Sequence, residues 1–209
     1  KPRLKGPRFA MKANEPSVDF AIRMGLHLDG TVLPIQGPPG SGKTFTGAHM
    51  ICAMVKAGLR VGVTATSHAV IRNLLNKGLK QATENGQTLR CGHRLSSASE
   101  PPGDIEEYIS SSSNPTALHD VKSGAIQVLG GTQWLWARED AIDVVDVLIV
   151  DEAGQMALPN VIIAASAANS VVLLGDPQQL DQPQKGSHPD GTDASALAHI
   201  LDGRKVIPD

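Results

Sequence analysis

The octapeptide Gly37-Pro38-Pro39-Gly40-Ser41-Gly42-Lys43-Thr44 follows a short apolar run and precedes a segment with helical spacing. It fits G-x-x-x-x-G-K-[ST] in the strand–loop–helix context that this motif requires. The chemistry is anion binding. Glycines let successive backbone N–H groups turn inward with no Cβ in the way, and the start of a helix adds the positive end of its dipole. On this reading Gly37, Pro38, Pro39, Gly40, Ser41 and Gly42 wrap the phosphates of a nucleoside triphosphate. Lys43 contacts the β- and γ-phosphates, and the Thr44 hydroxyl ligates Mg²⁺.

A second group stands where another apolar run stops. Leu148-Ile149-Val150-Asp151-Glu152 places two carboxylates at the end of a predicted strand. In parallel α/β sheets ligands collect at the carboxyl ends of strands. Asp151 is therefore placed to hold Mg²⁺ through its water shell, and Glu152 to orient and deprotonate an attacking water. Gln155 adds an amide able to reach the γ-phosphate. A third apolar run, Val171–Leu174, leads to Gly175-Asp176-Pro177-Gln178-Gln179. The amide of Gln179 can donate to a γ-phosphate oxygen and accept from water, and so tell triphosphate from diphosphate.

Such groups meet only if the intervening elements fold as a parallel, doubly wound sheet. The spacing predicts strands at Thr31–Gln36, Arg60–Thr64, Gln87–Cys91, Ile126–Gly130, Val144–Val150 and Val171–Leu174. Helices are predicted over Val18–Leu28, from the phosphate loop to Gly58, from an N-cap at Ser67 to Lys77, over Leu158–Ala168 and over Asp193–Leu201, with a helical turn at Gln133–Arg138. Ala48, Ile51, Cys52 and Val55 lie at i, i+3, i+4, i+7, one buried face. Val144–Val150 is nearly all apolar, as a strand buried on both faces must be. Strands alternating with helices imply an α/β fold with helices on both faces of the sheet. Residues 1–16, with five basic residues and three prolines, read as a solvated basic arm or linker. Residues 17–209 read as one nucleotide-binding domain, with 81–122 as a surface insertion rich in Pro, Gly and Ser.

Composition supports a globular chain. Of 209 residues 41 % are hydrophobic and 19 % charged, but only 3 % are aromatic, so the core must be aliphatic. Two cysteines without CxxC spacing exclude a disulfide framework and a zinc site, and a reducing, cytoplasmic setting is expected. No apolar stretch is long enough to span a bilayer, so no membrane partner is expected. The net charge of −2 does not itself indicate a nucleic-acid binder, although a local groove can be positive on a neutral protein. His68, His93 and His188 are isolated and read as solvent-facing or capping residues. Cys52 and Cys91 read as packing residues.

Taken together, GPPGSGKT, VTATSHAVIRNLL (Val63–Leu75), GGTQWLWA (Gly130–Ala137), VDEAGQ (Val150–Gln155) and LLGDPQQL (Leu173–Leu180) resemble the ordered motifs of superfamily 1 helicases. The branch is that of the nonsense-decay RNA helicase and the DNA replication helicase–nucleases. Lys185–Leu201 is similar to bacterial members joined to a RecB-type nuclease. The resemblance covers roughly residues 30–205 and implies a RecA-like P-loop NTPase domain using ATP and Mg²⁺. It implies that Lys43, Glu152 and Gln179 act in catalysis. Thr66, Ser67 and Thr132 match positions that touch the backbone of single-stranded DNA or RNA, contacts that position without reading sequence. No counterpart of the family's adenine-reading Gln is found near Asn14–Ile22. The family's second RecA-like domain would follow in cis, a RecB-like nuclease domain being a further partner. The chain alone is then expected to be a monomer that binds ATP but turns it over very slowly, because arginine fingers are worth about 10³–10⁵ in rate.

Other classes compete. Asn76-Lys77-Gly78-Leu79 lacks the aspartate of a guanine reader, which argues against a GTPase. A hexameric chaperone-type ATPase also carries GPPGSGKT and an Asp-Glu pair, but should form rings. A nucleotide-gated scaffold that never hydrolyses has no need of Glu152. Trp134 or Trp136 could stack on a base, with core packing the more frequent fate of tryptophan.

Overall fold

The computed structural model describes residues 2–6, 8–95, 106–108, 113–176 and 195–201. The strands are β1 (Val32–Gln36), β2 (Val61–Thr64), β3 (Cys91–Arg94), β4 (Glu106–Tyr108), β5 (Val128–Gly130), β6 (Val145–Val150) and β7 (Ala168–Gly175). They form one sheet in the order β1-β7-β6-β2-β5-β3-β4, and every pairing is parallel. The helices are α1 (Ser17–Gly25), α2 (Lys43–Lys56), α3 (His68–Glu84), α4 (Asn114–Ser123), α5 (Gln133–Trp136), α6 (Leu158–Ala165) and α7 (Ala196–Leu201).

Two apolar layers hold the sheet. Along β6, Val147 and Ile149 join the cluster built with Met24 of α1, Ile51 of α2 and Leu74 of α3. Leu148 and Val150 face the other way, toward Leu118 of α4, Trp136 of α5, Val161 of α6 and Leu197 of α7. The alternation explains why β6 is apolar throughout: both of its faces are covered.

The helices start and stop for local reasons. The Ser67 hydroxyl accepts from the Val70 N–H at 3.3 Å and caps α3. That helix runs past the expected Lys77 because Gly78 sits against Ile51 of α2, and the buried face continues to Ala82. After α2, Gly58 adopts φ +83°, a backbone that glycine enters without steric cost.

Three expectations need correcting. The strand placed at Gln87–Cys91 lies instead at Cys91–Arg94, with Cys91 and His93 in register with Val128 and Gly130. Upstream, Gln87 gives its amide to the Cys52 carbonyl (3.1 Å), and Arg90 holds the carbonyls of Ala125 and Gly124 (2.7 and 2.9 Å). Those residues are spent on the connection. Within 81–122, the end of α3, the outer strands β3 and β4, and α4 with Ala117, Leu118 and Val121 buried all belong to the sheet and its cover. The basic segment before α1 is docked onto the domain at several points and is not a free arm, although most of its residues stay exposed to solvent. Leu4 bridges Leu28, Arg3 holds the carbonyls of Asp29 and Gly30, Phe9 meets Phe20 edge-on, and Arg23 pairs with Glu15 at 2.6 Å.

Candidate functional site

The carboxyl edge of the sheet gathers the candidate residues. The phosphate loop leaves β1 as that strand pairs with β7, and the Gly37 N–H donates to the Gly175 carbonyl at 3.2 Å. Gly40 and Gly42 take φ +80° and +88°, backbone that a side chain adopts only at a cost. The Ser41 N–H closes onto the Pro38 carbonyl at 3.1 Å. Lys43 then begins α2 with no side-chain cap, so the first N–H groups of a fourteen-residue helix are left for an anion. Lys43 Nζ donates to the carbonyls of Gly37 (2.7 Å) and Pro38 (3.0 Å), which holds the ammonium across the loop. Thr44 is half-buried in the same turn.

β6 delivers the acids. The Asp151 N–H donates to the Thr64 carbonyl at 2.9 Å, continuing the pairing with β2 past its last residue. Asp151 is 1 % exposed, and its Oδ1 accepts from the Glu152 N–H at 3.0 Å. Burial pushes the Asp151 carboxyl up to about 6; the Glu152 N–H pulls it down, the Glu152 carboxylate raises it, and the charges of Lys43 and Lys77 lower it. Glu152 stands in left-handed backbone (φ 54°, ψ 42°), which costs a non-glycine residue about 1–2 kcal/mol, and its buried Oε2 has no hydrogen-bond partner. A desolvated carboxylate beside an orphaned carboxylate oxygen is the donor set that a hard cation satisfies, and the residues present fit Mg²⁺.

Contact between β6 and β7 closes the site. Ala153–Gln155 forms a 3-10 turn, and Gly154 lies against the Asp176 carbonyl with no room for a Cβ. A Cβ on Gly175 would meet the Gly154 nitrogen at 2.7 Å. Gln155, half-buried, directs its backbone N–H back to the Glu152 carbonyl at 2.8 Å. Gln179 and His188 lie outside the described residues.

Farther along the same edge, Thr66 and Ser67 follow β2, and Thr132 follows β5. The Gly131 N–H donates to the Val63 carbonyl at 3.0 Å, so the two segments leave the sheet side by side. Trp136 is fully buried and its indole N–H donates to the Gly131 carbonyl at 3.0 Å, whereas Trp134 is 75 % exposed. His93 departs from expectation. It is fully buried, 3.1 Å from His68 through Nε2, and burial followed by the His68 and Arg72 charges pushes it down to about 3. Cys52 and Cys91 are buried free thiols. Sequence reasoning passed over Thr64, whose buried Oγ1 lacks a partner one register step from the acids, and Lys77, whose charge reaches Asp151. Thr64 carried no signal, because only strand pairing brings it beside Val150.

A profile described as AAA domain matches residues 21–200. The chain belongs to the AAA domain family. A DNA replication ATP-dependent helicase/nuclease, JHS1 of Arabidopsis thaliana, is 32 % identical over 149 residues, 70 % of this chain and 11 % of that protein. The helicase/nuclease DNA2 of Saccharomyces cerevisiae is 28 % identical over 149 residues, again 70 % of this chain and 10 % of the relative. The AAA domain described here thus spans about a tenth of the curated relatives it matches. Among solved structures, the arterivirus nonstructural protein 10 helicase in complex with DNA aligns over 81 % of this chain and 34 % of its own, at 17 % identity and a TM-score of 0.47. The resemblance to superfamily 1 helicase motor domains holds for this AAA domain. Among the described residues no helix is long and apolar enough to cross a membrane.

Proposed function

We propose that the chain is the first, ATP-binding motor domain of a superfamily 1 helicase, coupling ATP hydrolysis to movement along single-stranded DNA or RNA. One observation carries this reading: the Lys43 loop and the Asp151–Glu152 pair share one sheet edge, close enough for the Lys43 charge to act on Asp151. In the proposed site the loop from Gly37 to Thr44 holds the phosphates, while Thr44 and Asp151 hold Mg²⁺. Glu152 activates water, and Gln155 and Gln179 report the γ-phosphate. Thr66, Ser67 and Thr132 contact the nucleic-acid backbone. The names of the relatives supply ATP dependence and DNA as precedents. A monomer in the cytoplasm, completed by a second RecA-like domain and a RecB-like nuclease domain of the same protein, fits this role.

The test is titration of this chain with a fluorescent ATP analogue and Mg²⁺. Binding that disappears in Lys43→Ala and persists in Glu152→Gln is expected. In the longer protein, Glu152→Gln should lower turnover by about 10²–10⁴, the range for a positioned general base. Equal ATP affinity in wild type and Lys43→Ala overturns the site.

A further inference from the structure

We propose that Trp134 is the stacking platform for a base of the single strand; the inference rests on the nucleic-acid reading above. Trp134 is the most exposed of the large apolar side chains among the described residues, at 75 %. An indole left in water forgoes a large apolar burial. It is also held there. Trp136 is fully buried, donates to the Gly131 carbonyl at 3.0 Å and lies against Gly62. Leu135 covers Gly131. Both neighbours pin α5 to the sheet, so the indole of Trp134 projects from fixed backbone and not from a loop tip.

Its place in the fold selects the occupant. α5 begins directly after Thr132, and β5 pairs with β2 through Val63 and Gly130. Trp134 therefore stands on the edge that carries the hydroxyls of Thr66, Ser67 and Thr132. Hydroxyls engage phosphates and sugars, and none of them can cover the face of a base. An indole does this with every base, which suits a protein that tracks a strand without reading it.

The experiment uses this chain with Mg²⁺ and a non-hydrolysable ATP analogue. Fluorescence anisotropy measures binding of an oligo-dT of about 15 nucleotides and of an abasic strand of equal length. Stacking is worth about 1–3 kcal/mol per base, so Trp134→Ala should weaken oligo-dT binding by about 5- to 150-fold. Abasic-strand affinity should stay unchanged. Trp134→Phe should recover most of the loss, and oligo-dT should quench the emission of Trp134 where the abasic strand does not. Unchanged circular dichroism and ATP-analogue binding in the variant exclude misfolding. Equal oligo-dT affinity in wild type and Trp134→Ala overturns the proposal, as it must if the indole instead meets a protein surface beside Ile162 and Ile163 of α6, also exposed. An equal loss on both strands overturns it too. Binding of neither strand by wild type overturns the nucleic-acid reading itself.

Discussion

Asp151 illustrates how a site residue is set against the stability of its own fold. Burial raises its carboxyl from 3.8 to about 6, so between those values the folded chain binds more protons than the unfolded chain. Stability contributed here is therefore lost as pH rises through that window and stays lost above it. Asp151→Asn removes the titration. At pH 7 without nucleotide, the variant should be more stable to denaturant by about 1–3 kcal/mol, at 1.36 kcal/mol per pKa unit. The difference should shrink toward zero as pH falls below about 4 and the unfolded Asp151 carboxyl also takes up its proton. Excess Mg²⁺ and ATP should reverse the order, since only wild type keeps the carboxylate proposed to hold the metal. Denaturation curves at the two pH values decide the matter: a variant less stable at pH 7 without nucleotide would mean that Asp151 is not a desolvated charge. At this scale the sequence was informative wherever residue type dictates chemistry, as at Lys43, Thr44 and Asp151. It was silent on environment. His93 read as solvent-facing because a lone histidine carries no burial signal, and only its register with Gly130 of β5 puts it in the interior.

Elements were legible in proportion to how much of their sequence packing consumes. β6 and α2 announced themselves, one by an unbroken apolar run and the other by a buried face that begins at a glycine turn. β3 did not, because the polar Gly92-His93-Arg94 forms the strand while the neighbouring Gln87 and Arg90 tie down its entrance. The close approach of the acid-bearing turn to the end of β7 was equally hidden, since nothing in the sequence around Gly154 or Gly175 signals it. Yet a Cβ at either meets backbone, which cannot swing away as a side chain can. Gly154→Ala should therefore destabilise the chain by about 1–3 kcal/mol, the usual cost of overpacking. It should also push the Asp151–Glu152 turn away from β7. The phosphate loop touches the end of β7 through the Gly37 N–H and the Gly175 carbonyl, but β1 and α2 hold it as well. ATP affinity should therefore fall less than turnover when the same substitution is made in this chain joined to the proposed second motor domain. A variant as stable and as active as wild type would show that the contact is slack.

The order β1-β7-β6-β2-β5 lays the phosphate loop, the acids and the hydroxyl-bearing turns along one edge, so that β2 and β6 join the nucleotide end to the Trp134 end. No motif states this order; it follows from which strands can bury both faces between the α1–α3 layer and the α4–α7 layer. On the proposed reading, the edge so assembled offers a single strand Thr66, Ser67, Thr132 and Trp134, none of them cationic, on a chain of net charge −2. Binding held by hydroxyls and stacking releases few counterions. For single strands the logarithm of affinity falls with the logarithm of salt by about 0.7 per phosphate neutralised. With one or two phosphates neutralised, raising salt from about 50 to about 200 mM should weaken oligo-dT binding by only about 3- to 7-fold. A basic groove of six contacts would lose over a hundredfold across the same range. Anisotropy titrations at three salt concentrations measure the slope directly. A value near that of six contacts would mean that charge, and not the indole edge, supplies most of the hold on the strand.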